Sequence, residues 1–262
     1  MIRIGACTDP SNAAMLAESG FAYIEVNFQR FALMSEEEYA SQLSVLRAAP
    51  IKAEAANGMV PGSLKVTGPD ADEKKLREYA KKGFARAAEM GVQTVVFGSG
   101  AARAVPEGFP YDEALRQIAS WLHIASDEAE PYGITTVIEP LRPKECNILN
   151  LVSESLVLAS LVDRKNICVL ADSFHMEQSG EPLCHLAQAG SMLRHVHISH
   201  SLGASGRIWP AAEDFDEMRA FFQALHEAGY DGRVSIEAGC DDLPGKAAAA
   251  FRVLRDARDQ RV

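Results

Sequence analysis

Four acid or imidazole side chains close four apolar runs in the later part of the chain. Glu139 follows Ile134-Thr135-Thr136-Val137-Ile138, Asp172 follows Ile167-Cys168-Val169-Leu170-Ala171, His197 lies in Arg194-His195-Val196-His197-Ile198-Ser199, and Glu237 follows Val234-Ser235-Ile236. Side chains along a strand alternate between two faces. With Ile134 and Ile138 facing outward, Thr135, Val137 and Glu139 face inward. The same parity turns Cys168, Leu170 and Asp172 inward in the next run, then His195 and His197, then Ser235 and Glu237. Four ligand-type side chains therefore aim at one spot. Converging buried carboxylates are too costly without a counter-charge, so three of them with an imidazole imply one divalent cation. A set of mostly oxygen donors with one nitrogen suits manganese first, with magnesium, cobalt or zinc as the other candidates.

Taken singly, each residue has a plainer role. An acid at a strand end often caps the following helix, and Asp172 before Ser173-Phe174-His175-Met176 is placed to do so. Four strands in phase favour the joint reading. His195 sits one inward step deeper and is read as a core histidine or a support for a ligand. His123, His185, His200 and His226 fall in helical or loop stretches.

The elements that position these residues recur along the whole chain. Strand-like runs are expected at Ile2 to Cys7, Tyr23 to Phe28, Ile51 to Ala56, Thr94 to Phe97, Ile134 to Glu139, Ile167 to Asp172, Arg194 to Ser199 and Val234 to Ala238. Helical stretches with capping signals lie between them, such as Ser35-Glu36-Glu37-Glu38 leading toward Leu46, and Asp70 to Met90. Strand and helix alternating eight times, with no linker or low-complexity tract, predicts a single α/β domain over residues 1–262, a (β/α)8 TIM barrel. The long Gly- and Pro-containing segments Asn57 to Pro69 and Gly98 to Pro110 fall on its catalytic face, where lids and binding loops occur. Gly98-Ser99-Gly100 is a weak candidate for cradling an anion, since the full dinucleotide fingerprint is missing.

Composition narrows the function classes. A formal net charge of −10 argues against a surface that neutralises phosphates, so no nucleic acid partner is expected. No apolar run is long enough to span a membrane. The opening Met1-Ile2-Arg3-Ile4-Gly5 enters a strand without the features of a signal peptide, which predicts a cytoplasmic protein. Five scattered cysteines, with no paired spacing, predict neither disulfides nor a zinc ribbon. A small-molecule substrate is expected, taken by a free chain or a homo-oligomer.

Glu139-Pro140-Leu141 with Glu145 and Asn147, Asp172-x-x-His175, His195-Val196-His197-Ile198 with Arg207, and Gly229-Tyr230-Asp231-Gly232-Arg233-Val234-Ser235-Ile236-Glu237 together resemble the xylose-isomerase-like TIM barrel superfamily. The resemblance is to its sugar phosphate isomerase/epimerase branch, which includes ketose 3-epimerases. It covers the chain in order and is most specific from Gly91 to Glu237. It implies that Glu139, Asp172, His197 and Glu237 hold the metal, that Glu139 and Glu237 also act as the catalytic acid/base pair, and that Glu145, His175 and Arg207 contact the sugar. The implied reaction is proton abstraction next to a carbonyl through an enediolate, giving ketose epimerisation or aldose–ketose isomerisation. An inosose-type dehydratase is the alternative on the same site. The related apurinic-site endonucleases carry further histidines on the third and fourth strands, where this chain reads Ala53-Glu54-Ala55-Ala56-Asn57 and Val95-Val96-Phe97-Gly98. Two departures bear on the substrate: His200 stands where many relatives have an acid, and Arg207 lies further along its loop.

Overall fold

The computed structural model describes residues 1–260. The expected domain range of 1–262 includes Arg261 and Val262, which lie outside the described residues. Among the described residues there are ten strands: β1 (Arg3–Cys7), β2 (Tyr23–Asn27), β3 (Ala53–Asn57), β4 (Thr94–Phe97), β5 (Thr135–Ile138), β6 (Ile167–Asp172), β7 (Leu193–Ile198), β8 (His200–Ser201), β9 (Arg207–Ile208) and β10 (Arg233–Ile236). Eight of them close into a barrel in the order β1-β10-β7-β6-β5-β4-β3-β2, with every pair parallel. The remaining two, β8 and β9, form a small antiparallel hairpin after β7. This is the eight-stranded barrel with surrounding helices that the alternation of elements predicts.

Side-chain parity follows the pattern read from the sequence. Val96, Val137, Cys168 and Leu170 form an apolar cluster inside the barrel. Ile138, Val169, Val196, Ile198, Val234 and Ile236 belong to the larger core between strands and helices. The helices have local causes. Ser35 and Glu38 make a reciprocal capping box at the start of helix Glu36–Ala48. Asp72 accepts from the Lys74 and Lys75 N–H groups, so helix Glu73–Met90 begins a turn later than the composition suggests, and Gly91 ends it at φ 89°.

Two register shifts matter for the site. On β7, Arg194 is passed over, so Leu170 pairs with His195 and Asp172 comes level with His197. On β3, Glu54 is passed over, so Glu25 pairs with Ala55. Bulges of this kind re-aim side chains near functional sites. The passed-over Glu54 binds Arg3 and Arg233 by ion pairs that join β1, β3 and β10.

The third strand runs to Asn57, two residues later at its start and one later at its end than the Ile51 to Ala56 expected. The loops after β3 and β4 are not free lids. Val60 N donates to Ser99 Oγ at 2.9 Å, Val66 N to Ala102 O at 2.9 Å and Thr67 Oγ1 to Ala104 O at 2.7 Å, which ties the two segments into one wall. The Gly98–Pro110 segment also contains a short helix, Gly100–Arg103, whose Arg103 is fully buried.

Candidate active site

Glu139 and Glu237 each lie one residue beyond their strands, yet their N–H groups continue the barrel ladder to Phe97 O at 3.2 Å and Ile198 O at 3.1 Å. Both carboxylates are thereby presented at the carboxyl-terminal mouth. The Glu139 main chain is further held by buried Arg103, which donates to Phe97 O at 2.8 Å and Glu139 O at 2.7 Å. Gly98 is glycine for a spatial reason: a Cβ there would overlap the Glu139 carboxylate. The absence of a side chain at Gly98 leaves room for the Glu139 carboxylate.

The four strand-end residues converge. His197 Nδ1 lies 3.1 Å from Glu139 Oε1, 3.1 Å from Glu237 Oε2 and 3.8 Å from Asp172 Oδ2. All four ligand-type atoms lie within 4.8 Å of one another. Donors about 2.1 Å from a single ion stand about 3 Å apart at right angles and about 4 Å apart across it, so the spacing fits one divalent cation. Glu237 Oε2 is buried and makes no well-directed hydrogen bond, although Arg207 Nη2 is 2.8 Å away. A buried oxygen left in this state, beside two further carboxylates, is suited to a cation.

Asp172 caps the following helix with one oxygen and turns the other to the site. Its Oδ1 caps the helix Ser173–Gln178 by accepting from Phe174 N at 2.8 Å and His175 N at 3.1 Å. Its Oδ2 turns to the site, where Arg207 Nη1 approaches to 2.7 Å. Arg207 is delivered by the β8–β9 hairpin, a piece of structure the loop composition does not announce.

The electrostatics of the protein alone are those of a site short of positive charge. Burial works against charge on His197, but Glu237 and Glu25 outweigh it and hold the imidazole well above its ordinary range. Burial raises Glu139, and the charge of Glu237 adds to the effect. Burial also opposes charge on Glu237, but His197 and Arg207 prevail and hold it well below the carboxylate range. Two neighbouring carboxyls with opposite shifts are suited to hold and accept a proton, respectively.

His175 and Glu145 are placed differently. His175 is buried, and its Nδ1 accepts from Arg142 N at 3.2 Å, which leaves the hydrogen on Nε2; that atom has no protein partner. Glu145 stands at the rim, exposed, and Arg142 Nε holds it at 2.7 Å. Arg142 stacks on Phe174, its guanidinium carbon 4.5 Å from the ring centre, and Arg207 lies 5.3 Å from the same centre.

Four further residues belong to the mouth. Glu25 binds both His195 and His197, Asn57 Nδ2 donates to Glu237 Oε1 at 2.8 Å, and Arg142 orients His175. Cys7 lies with His197 and Glu237 in a group whose ligand atoms are within 4.8 Å of each other. Strand parity applied to Tyr23-Ile24-Glu25-Val26-Asn27 is the signal that could have found Glu25. Beside these residues, a cavity of about 250 Å³ is lined by Cys7, Thr8, Asn27, Arg30 and Asn57, among others.

The chain belongs to the family described as Xylose isomerase-like TIM barrel, which matches residues 13–257. An inosose isomerase of Bacillus velezensis is 30% identical over 134 residues, covering 48% of this chain and 47% of that protein. A ketose 3-epimerase of Arthrobacter globiformis is 31% identical over 113 residues, covering 43% of this chain and 37% of that one. The chain thus spans about half the length, or less, of these curated relatives. The structure of a D-allulose 3-epimerase from Methylomonas sp. superimposes with a TM-score of 0.81 at 20% identity, over 98% of each chain, a likeness of fold. No helix among the described residues is long and apolar enough to cross a membrane.

Proposed function

We propose that this protein is a divalent-metal-dependent sugar isomerase/epimerase, one barrel domain that works in the cytoplasm on a small sugar. Glu139, Asp172, His197 and Glu237 hold the ion, and manganese is the ion we assign. The observation that carries the reading is the convergence of these four side chains at the mouth of a barrel of this family. The names of the matched relatives, inosose isomerase and ketose 3-epimerase, agree with it.

When bound, the ion supplies Lewis-acid polarisation of a carbonyl oxygen and neutralises the enediolate charge that forms next to it. The protein does the rest. Glu237 takes the proton from the carbon beside the carbonyl, and Glu139 returns one from the other side of the enediolate plane; in the reverse direction the two exchange tasks. Return to the same carbon inverts it, and return to its neighbour isomerises the sugar. Asn57 steadies Glu237 by donating to its Oε1. His175 Nε2–H donates to a substrate oxygen, and Arg207 holds another while pinning Asp172. Glu145, set by Arg142, meets the sugar from the rim. Fixed placement of this kind supplies much of the barrier reduction in proton transfers.

The test is a screen of ketoses, ketose phosphates and inososes with manganese-loaded protein, followed by identification of the product. An epimer or an aldose–ketose isomer supports the reading. A product lighter by one water identifies a dehydratase instead, and nicking of abasic DNA with every sugar untouched identifies a nuclease.

A further inference from the structure

Glu25 is a glutamate with no solvent exposure, near the middle of β2, and both its oxygens are occupied by imidazoles. His195 Nε2 lies 2.7 Å from Oε2, and His197 Nε2 lies 3.0 Å from Oε1. A carboxylate only accepts, so each Nε2 facing it carries a hydrogen. In His197 this assigns the second nitrogen, Nδ1, to the spot shared with Glu139, Asp172 and Glu237. In His195 the second nitrogen is buried without a partner, and a buried lone pair there costs less than an orphaned N–H. Hydrogen on Nε2 follows from both rings; His197 Nδ1 also faces carboxylates, at 3.1 Å from Glu139 and Glu237, so it offers a lone pair only when an ion takes the place between them. The surroundings are built to keep it: Tyr23 OH and Ser235 Oγ are hydrogen-bonded at 2.8 Å beside His195, and the register shift between β2 and β3 falls at Ile24/Glu25.

We propose that Glu25 is a positioning residue that sets the tautomer and ring orientation of His197, so that Nδ1 presents its lone pair to the metal. His195 is the second donor that holds Glu25 in place. This rests on His197 being a ligand in the proposed function. A buried carboxylate and two imidazoles are costlier than an apolar filling of the same volume, so the trio is not explained by stability. A hydrogen bond from the far nitrogen of a ligating imidazole to a carboxylate fixes the ring and strengthens it as a donor.

Glu25→Gln tests the assignment at constant shape. The amide can accept from one imidazole but presents an N–H₂ group to the other, which favours the Nδ1–H form of that ring. Manganese titration of metal-free protein, followed by the electron paramagnetic signal of the free ion, should show affinity reduced by about 10- to 100-fold in Glu25→Gln. Glu25→Asp, which keeps the charge, should recover part of the loss. Nitrogen-15 NMR of the wild type loaded with diamagnetic magnesium or zinc gives the decisive reading even if the variants fold poorly. His197 must carry hydrogen on Nε2 and none on Nδ1. The opposite tautomer, or equal metal affinity in wild type and Glu25→Gln, overturns the role of Glu25. A wild type that binds no divalent ion overturns the underlying reading of the site instead.

Discussion

Gly98 and Glu139 share one space: the Glu139 carboxylate occupies the position where a side chain on residue 98 would begin. The overlap is with the end of a flexible side chain, so Gly98→Ala can be accommodated by moving Glu139 rather than the barrel. A displacement of about 1 Å at a catalytic group costs about 100-fold in rate. Gly98→Ala should therefore fold with nearly unchanged thermal stability while turnover falls by about that factor. Steady-state rates beside a melting curve check it, and normal turnover would mean that Gly98 does not place Glu139.

The acid/base pair predicts a second pattern. Glu139→Gln and Glu237→Gln should each lower turnover by at least about 100-fold at saturating manganese. Asn57→Ala should have a smaller effect, about tenfold, because it removes one charge-assisted hydrogen bond from Glu237 and leaves the carboxylate. The order of the three rates is the readout. An Asn57→Ala defect as large as that of Glu237→Gln would reassign Asn57 to direct contact with the reacting atoms.

His175 and Arg207 should behave as holders of the substrate. His175 Nε2 is a buried donor without a protein acceptor, and a sugar oxygen would complete it. His175→Ala and Arg207→Ala are expected to raise KM with a smaller change in kcat, as uniform binding contacts do. Full kinetic curves separate the two constants. A fall in kcat at unchanged KM would place the residue in the proton transfer itself.

A stability prediction concerns the opposite end of the barrel. Glu54 binds Arg3 and Arg233; burial opposes its charge, but those arginines hold the carboxyl below its ordinary value. A depressed folded-state pKa stabilises the fold fully above the unfolded value and loses that contribution as pH falls through the folded one. Glu54→Gln should cost about 1 kcal/mol at neutral pH, discounted for its partial exposure. The difference from wild type should shrink in acid. Denaturant unfolding at neutral and acid pH measures it, and a difference that grows in acid contradicts the sign.

How much of this was legible depended on side-chain alternation. Alternation turns Glu139, Asp172, His197 and Glu237 inward, and the barrel's closure then makes them meet. It also turns Glu25 inward, but nothing in Tyr23-Ile24-Glu25-Val26-Asn27 announces the imidazoles of β7, because that meeting is set by closure of the sheet through β1 and β10, which no single strand records. Asn57 is hidden for another reason: the alanines of β3 carry little strand signal, so the run seems to begin at β-branched Ile51 and to end before Asn57. The Ser201–Gly206 stretch reads as loop by composition, and its hairpin form comes from pairing of His200 with Ile208 and Ser201 with Arg207.

The most direct test of the proposed chemistry is the fate of the abstracted proton in deuterium oxide. Two carboxylates that remove and return protons on different faces do not return the one they took, so solvent deuterium enters the product. With a productive ketose and manganese-loaded protein, mass and NMR analysis should show one deuterium at the carbon next to the carbonyl, with the carbon skeleton and water content unchanged. Turnover that leaves that carbon free of deuterium would contradict the two-carboxylate account and point to hydride transfer between carbons.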